Sequence, residues 1–174
     1  EAVRALWYDI TDNIAVSPRP ARFGGKTASR EDISMFSFDS RIRYSETDHT
    51  GQLSIRAMLE LFQDCATLHT NAAGLSLAVM RERGQAWVLN AWQADIERLP
   101  VMDEQVRVST YPYGFHGFVG SRNFTLETLS GERLVTANSQ WTLVDPATAH
   151  PVHVTDDIPV KYGAGDKLGM DYAP

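Results

Sequence analysis

The chain has 174 residues, of which 43% are hydrophobic and 22% are charged, and its net charge is −6. This length and composition are typical of one globular domain. The negative charge and the lack of a basic run argue against nucleic acid as a partner, because binding to phosphates needs clustered lysine and arginine. No stretch of the sequence approaches the roughly 20 consecutive apolar residues that a membrane-spanning helix needs.

Cysteine and histidine usage limits the redox and metal chemistry. Cys65 is the only cysteine, so an intramolecular disulfide is excluded. A lone thiol on an apolar helix face is typical of a reducing compartment, and we expect a cytoplasmic protein. His150 and His153 lie close in sequence but lack a third ligand at a suitable spacing, so no metal site is predicted. No cofactor is expected.

Residues 1–34 differ in composition from the rest of the chain. The segment SPRPARFGGKTASRED is rich in Pro, Gly, Arg and Ser and has no apolar period, which predicts a flexible leader. Met35 stands immediately before a strand-like alternation of apolar and polar residues. We therefore expect Met35 to be the natural start, which would make the leader non-native.

The run from Arg43 to Gly74 predicts a polar turn followed by one long helix. Seven residues share one helical face: Ile55, Met58, Leu59, Phe62, Cys65, Ala66 and His69. Ser54 is a candidate N-cap, and Asn71 with Gly74 supplies the stop. A helix of about five turns that is apolar on most of its circumference must be enclosed, and in a short chain a sheet is the expected enclosure.

Four strand-like segments come after a short second helix that ends at Gly84. They are AWVLNAWQADIERL, EQVRVSTYPYGF, GFVGSRNFTLETL and RLVTANSQWTLVD. Gly131 can take the positive φ of a hairpin turn between the last two segments. One strand, a buried helix and a meander of four antiparallel strands predict an α+β fold, in which a curved antiparallel sheet of about five strands wraps the long helix.

Several separated motifs occur in one order along the chain. A strand leads to the ETDHTG turn, the long helix and WVLNAWQADIERLP, and then to Arg122 in GSRNF and Trp141 in NSQWTLVD. Together these motifs resemble the N-terminal hotdog domain of acyl-acyl carrier protein (acyl-ACP) thioesterases. The resemblance implies a hotdog domain over residues 35–165, with residues 166–174 as a tail or as the start of a linker to a second hotdog domain.

The resemblance implies hydrolysis of a fatty acyl-ACP thioester to free fatty acid, in fatty acid biosynthesis. In that family the second domain chiefly performs hydrolysis through a DxNxHxN motif, and no stretch of this sequence matches it. We therefore expect an acyl-binding half whose partners are the acyl carrier protein and either a second hotdog domain or, as a homodimer, a second copy. The alternatives are a non-catalytic acyl-binding or dimerisation module and a stand-alone acyl-CoA thioesterase that uses Asp48.

Three residues are candidates for the hydrolytic chemistry. The YSETDHTG turn is similar to the YxxTDxxG turn of single-domain hotdog thioesterases of the 4-hydroxybenzoyl-CoA type, which implies that Asp48 acts as base or nucleophile. Those relatives often have a histidine where this chain has Ile55. The alternative for Asp48 is a turn residue bonded to its own backbone. Gln63 and Asp64 lie mid-helix, where hotdog enzymes often present an acidic or amide group; the alternative is a solvated or subunit-facing edge.

Five residues are candidates for holding the substrate: Ser54, Met58, Phe62, Trp92 and Asn123. Backbone amides near Ser54 can hold the thioester oxygen, because the helix N-terminus favours negative charge. The three apolar candidates would form the wall of an acyl groove, with core packing as the alternative. Asn123 and Arg122 lie on alternate faces of one strand, and surface ion pairing is the expected fate of Arg122.

Cys65 and His69 are four residues apart and share one helix face, as a thiolate–imidazole pair would need. Both lie on the apolar stripe, where a thiol stays protonated and a histidine is more often satisfied by one hydrogen bond. The sequence therefore favours a core pair over a nucleophile.

Overall fold

The computed structural model describes residues 14–17 and 35–172. Within these ranges six strands form one sheet: β1 (Ile14–Ser17), β2 (Phe36–Arg41), β3 (Ala86–Ile96), β4 (Gln105–His116), β5 (Val119–Thr128) and β6 (Arg133–Val144). The α-helices are α1 (Ile55–Ala72), α2 (Leu77–Glu82) and α3 (Asp157–Tyr162), and a 3-10 turn spans Tyr44–Glu46. None of the described helices has the length and apolarity needed to cross a bilayer.

The strand order in the sheet is β1–β3–β6–β5–β4–β2, and every neighbouring pair from β3 to β2 is antiparallel. The predicted α+β class and the five antiparallel strands are confirmed. The predicted four-strand meander is wrong in one respect, because β3 pairs with β6 and not with β4. The connection between β3 and β4 is held against the turn before α1, where the Leu53 amide donates to the Pro100 carbonyl at 2.8 Å. After this connection β4 lies between β5 and β2, separated from β3 by two strands.

One strand lies inside the range predicted to be a flexible leader. β1 pairs in parallel with β3, with Ile14 opposite Trp92 and Ser17 opposite Asp95. The rest of the predicted leader, residues 1–13 and 18–34, lies outside the described residues. Among the described strands, β1 and β2 are therefore the two edges of the sheet.

The helix α1 begins and ends where the sequence predicts. Ser54 has an extended backbone with φ −69° and ψ 149°, and its Oγ accepts a hydrogen bond from the Ala57 amide at 3.2 Å. After Ala72 the chain reverses at Gly74, whose φ of +71° suits glycine. The Gly74 amide donates to the Asn71 carbonyl at 3.0 Å. The 18 residues of α1 make the predicted five turns.

The helix α1 buries one side and exposes the other. Eight of its residues are buried: Ala57, Met58, Leu59, Leu61, Phe62, Cys65, Ala66 and His69. Glu60, Asp64, Thr67 and Leu68 are exposed. The expectation that the sheet must enclose this helix is therefore met on one side only.

The main core is built around three aromatic rings from α1, β3 and β5. The ring centroids of Phe62 and Trp92 are 5.8 Å apart, those of Phe62 and Phe124 are 5.1 Å apart, and those of Trp92 and Phe124 are 4.9 Å apart. A second cluster joins α2 and α3 to one end of the sheet, through the buried residues Leu75, Met80, Leu143, Ile158 and Tyr162. An open space remains between this second cluster and α1.

Candidate functional site

A cavity of about 390 Å³ lies between the C-terminal half of α1 and one end of the sheet. Its volume falls within the range of small-molecule pockets, about 300 to 1,000 Å³. Helix α1 contributes residues at the spacing of one helical stripe: Gln63, Ala66, Thr67, Thr70 and Asn71. The strands contribute an aromatic wall: Trp87 of β3, Phe115 of β4 and Trp141 of β6. Leu77 and Met80 of α2 and Tyr162 of α3 also line the cavity, which is therefore largely apolar.

Gly120 on β5 allows the aromatic wall to pack closely. A Cβ atom at this position would lie 3.1 Å from Cη2 of Trp87 and 3.3 Å from Cε1 of Phe115. Both distances are shorter than ordinary carbon–carbon contacts of about 3.5 to 4.0 Å. A side chain at position 120 would therefore have to displace the two rings by a few tenths of an ångström, and all three residues line the cavity.

Arg122 lines the cavity and is only 7% exposed. Its Nη1 donates to Nδ1 of His69 at 3.0 Å and to Oγ1 of Thr110 at 3.3 Å. Its guanidinium carbon lies 5.2 Å from the ring centroid of Tyr162. Burial lowers the pKa of this guanidinium, but arginine remains charged in proteins. The expectation of surface ion pairing is wrong, because Arg122 shares the inward face of β5 with Phe124.

Cys65 and His69 are both neutral at physiological pH. Burial, aided by the nearby Arg122 charge, lowers the pKa of His69 to about 4, and the neutral ring accepts a hydrogen bond from Arg122. Burial raises the pKa of the Cys65 thiol to about 12. The thiol lies 3.7 Å from the Val108 carbonyl oxygen, to which it donates weakly. These pKa values do not suit a thiolate–imidazole nucleophile, which agrees with the core pair that the sequence favoured.

Asp48 is exposed in the turn before α1. Its Oδ1 accepts hydrogen bonds from the Thr50 amide at 2.8 Å and from the Thr50 hydroxyl at 2.6 Å. These bonds hold the pKa of the carboxyl below its usual range. The contacts are those of a turn residue bonded to its own backbone, and a lowered pKa makes the carboxylate a weak base at neutral pH. The catalytic role of Asp48 stays a prediction.

The cavity and the Asp48 turn lie at different ends of α1. Ser54 caps the N-terminus of the helix, and the lining of the cavity begins nine residues later at Gln63. A rise of 1.5 Å per residue separates the two by roughly 14 Å along the helix axis. The two places therefore do not form one compact site within this domain.

Among the other candidates, Gln63 lines the cavity and is half-buried, while Asp64 is exposed beside it. Met58, Phe62 and Trp92 lie in the main core and are not among the residues that line the cavity in the described chain. For these three residues the structure shows the core packing that the sequence left open as the alternative.

Asn123 faces the side of the sheet opposite α1 and holds the C-terminal segment. Its Oδ1 accepts hydrogen bonds from the Leu168 amide at 3.2 Å and from the Tyr172 hydroxyl at 3.0 Å. Its Nδ2 donates to the Ala137 carbonyl at 3.2 Å. Asn123 belongs to a cross-strand row in register over four strands: Gln93, Asn138, Asn123 and Tyr111. The part of the predicted tail that the structure describes, 166–172, thus lies against the sheet.

Sequence reasoning missed Arg122 as a cavity residue, although a signal was present. Successive residues of a strand alternate between the two faces, so Arg122 must share a face with Phe124 and Leu126. Both of these residues are fully buried. The preference of charged residues for the surface predicts the opposite orientation, and for Arg122 the alternation prevails.

One long helix packed on an antiparallel sheet is the hotdog fold, and solved thioesterase structures share it. An acyl-ACP thioesterase from Bacteroides thetaiotaomicron superposes with a TM-score of 0.74 at 19% identity, over 81% of this chain and 58% of that chain. The 12:0-ACP thioesterase from Umbellularia californica gives 0.69 at 20% identity, over 82% and 58%. A 1,4-dihydroxy-2-naphthoyl-CoA thioesterase from Synechocystis gives 0.66 at 12% identity, over 74% and 95%. The predicted hotdog fold is confirmed.

The family model for the acyl-ACP thioesterase N-terminal domain matches residues 34–162. The chain belongs to this family, and the resemblance inferred from its motifs is confirmed. No curated protein sequence matches the chain. The chain spans somewhat more than half the length of the two acyl-ACP thioesterases.

Proposed function

We propose that this domain binds the acyl chain of a fatty acyl-acyl carrier protein, whose thioester is hydrolysed to release free fatty acid. The apolar cavity of about 390 Å³, in a domain of the acyl-ACP thioesterase family, carries this proposal. Each methylene that moves from water to an apolar wall contributes about 0.8 kcal/mol. Several carbons of a fatty chain therefore supply substantial binding free energy without any charged contact.

Docking of the acidic carrier protein needs a local positive charge, because the chain as a whole carries −6. Arg81 and Arg83, which come just before β3, are the candidates for this positive charge. Arg81 is exposed and lines the cavity, whereas Arg83 donates to Asp157 at 2.8 Å. Arg81 is thus the better placed of the two to meet a carrier protein whose acyl chain enters the cavity.

Two further parts of the proposal concern assembly and location. We propose that the domain pairs with a second hotdog domain or with a second copy through a sheet edge, since β2 has a described strand on one side only. If the isolated chain sediments only as a monomer, the proposed homodimer is wrong. A cytoplasmic location is supported by Cys65, a free and buried thiol.

Thr67→Trp is expected to weaken binding of a fatty acyl-carrier protein about tenfold. Thr67 is exposed and lines the cavity, so an indole there occupies space equivalent to at least two methylenes, or about 1.6 kcal/mol. The measurement is calorimetric titration with an acyl-carrier protein whose thioester is replaced by an amide.

Leu68→Trp is the matched control, because Leu68 is the next residue of α1, is exposed, and does not line the cavity in the described chain. It is expected to bind as the wild type does. Equal weakening by both substitutions, or by neither, would place the acyl chain elsewhere.

Asp48→Asn is expected to leave thiol release from acyl-CoA and acyl-carrier protein unchanged. Asp48 is a weak base bound to Thr50, so we expect the isolated chain to bind acyl groups with little hydrolysis, as a non-catalytic module does. Release of thiol, followed with a chromogenic disulfide, measures the rate. Rapid hydrolysis by the wild type that Asp48→Asn abolishes would instead establish a stand-alone thioesterase that uses Asp48.

A further inference from the structure

Arg122 is a buried charge that an acyl chain of hydrocarbon alone does not explain. Its contacts are the imidazole of His69, the hydroxyl of Thr110, and both the ring and a side-chain hydrogen bond of Tyr162. No carboxylate pairs with it among residues 35–172, whereas most of the other described arginines, such as Arg98, do pair with one. Removing from water a guanidinium that has no carboxylate partner is costly, and a plain hydrocarbon beside it returns none of that free energy.

Two residues that line the same cavity have buried polar atoms without hydrogen-bond partners in the described chain. Oε1 of Gln85 and Nε1 of Trp87 are buried and have no hydrogen bond within the described chain, and both residues line the cavity. Buried polar atoms are hydrogen-bonded in the great majority of cases, so an unpaired group calls for a physical explanation. An unsatisfied donor and an unsatisfied acceptor on residues that line the same cavity as Arg122 indicate a ligand with polar atoms of its own.

We infer that the cavity selects an acyl chain that carries an oxygen substituent, and that Arg122 donates a hydrogen bond to that oxygen. The inference rests on the proposed function, in which the cavity holds the acyl chain. A carboxylate on the chain accepts two parallel hydrogen bonds from a guanidinium and neutralises its charge. A hydroxyl accepts one hydrogen bond and leaves the charge of the guanidinium unneutralised. The order of affinity is therefore carboxylate, then hydroxyl, then the unsubstituted chain.

The position of the oxygen along the chain is set by burial. Arg122 is 7% exposed, whereas Leu77 on α2, which also lines the cavity, is 71% exposed. The open part of the cavity thus lies toward α2, and Arg122 lies toward its inner part. A carrier protein stays outside in solvent, so the oxygen belongs near the end of the acyl chain that is remote from the carrier.

The test is calorimetric titration with three amide-linked cysteamine derivatives of equal chain length: dodecanoyl, its terminal-hydroxyl analogue and its terminal-carboxylate analogue. The wild type is expected to bind the carboxylate analogue at least about tenfold more tightly than the unsubstituted chain, with the hydroxyl analogue between them. Arg122→Met is expected to lose this preference and to bind the unsubstituted chain at least as well as the wild type. Arg133→Met is the matched control, because Arg133 is exposed on neighbouring β6 and pairs with Glu127.

Equal binding of all three ligands by the wild type would overturn the inference and leave the acyl site standing. Binding of none of them would remove the acyl site itself, so the two failures are distinguishable. A preference that persists in Arg122→Met would assign the selection to another group and would also overturn the inference. Circular dichroism establishes whether that variant folds. If it does not, Arg122→Lys replaces it, and an unchanged preference in the lysine variant counts against the guanidinium as the donor.

Discussion

Phe124→Ala is expected to lower the free energy of unfolding by about 4 kcal/mol. Phe124 is fully buried, and its ring packs on Phe62 and Trp92 at centroid distances of 5.1 and 4.9 Å. Truncation leaves a void between α1 and two strands, and the hydrogen-bonded sheet cannot close over it. Urea unfolding followed by circular dichroism measures the loss, which should appear as a lower midpoint with little change in the slope.

Phe118→Ala is the control for this substitution. Phe118 is 43% exposed at the turn between β4 and β5, and its described ring contact is with His153 at 6.5 Å. A surface truncation of this kind is expected to change the free energy of unfolding by about 0.5 kcal/mol or less. If the two substitutions cost the same, Phe124 does not occupy the centre of the core.

Lowering the pH from 6.5 toward 4 is expected to remove up to about 3 kcal/mol of stability through His69 alone, at about 1.36 kcal/mol for each pH unit. The pKa of His69 falls from 6.5 to about 4 on folding, chiefly because its ring is buried. Above pH 6.5 the ring is neutral in both states. Below it the unfolded chain takes up the proton first, so stability is lost until the pH reaches the folded pKa.

His69→Gln isolates this contribution. The amide oxygen of glutamine can still accept a hydrogen bond from Arg122, but glutamine does not titrate. Protonation of carboxyls whose pKa is lowered on folding, such as those of Asp39 and Glu46, also destabilises the folded protein in acid. These carboxyls are present in both the wild type and the variant, so their effect cancels in the comparison. Unfolding free energies are compared at several pH values. The wild type should lose stability relative to the variant as the pH falls, and a difference that is constant with pH would contradict the buried, neutral imidazole.

Local rules were sufficient for the helices and turns of this chain. Helix α1 begins after Ser54 and the chain reverses at Gly74, as the capping chemistry of these residues predicts. Gly131 takes a φ of +91° in the predicted hairpin turn. The pairing of β3 with β6 was not predictable in the same way. Alternation along a strand tells which residues share a face, but it does not say which strand lies beside it. That choice depends on contacts between residues far apart in sequence, such as the one between Leu53 and Pro100.

The site was harder to predict because apolar character alone does not distinguish a core from a cavity. Met58 and Phe62 are large apolar residues of α1, and both lie in the core. The cavity takes the neighbouring stripe, which includes Gln63 and Thr67. The positions of α2 and α3 decide which face of α1 borders the cavity, and these two helices are about 75 residues apart in the sequence. No periodicity within α1 encodes that placement.

The aromatic wall has one further consequence, for selectivity. The width of the cavity at this wall depends on a missing carbon atom, because Gly120 leaves room for the rings of Trp87 and Phe115. A single methyl group at this position would displace both rings by a few tenths of an ångström. Adding a single carbon atom at position 120 would therefore change the size of the ligand that fits in the cavity. It offers a route to engineered chain specificity that leaves every charged group in place.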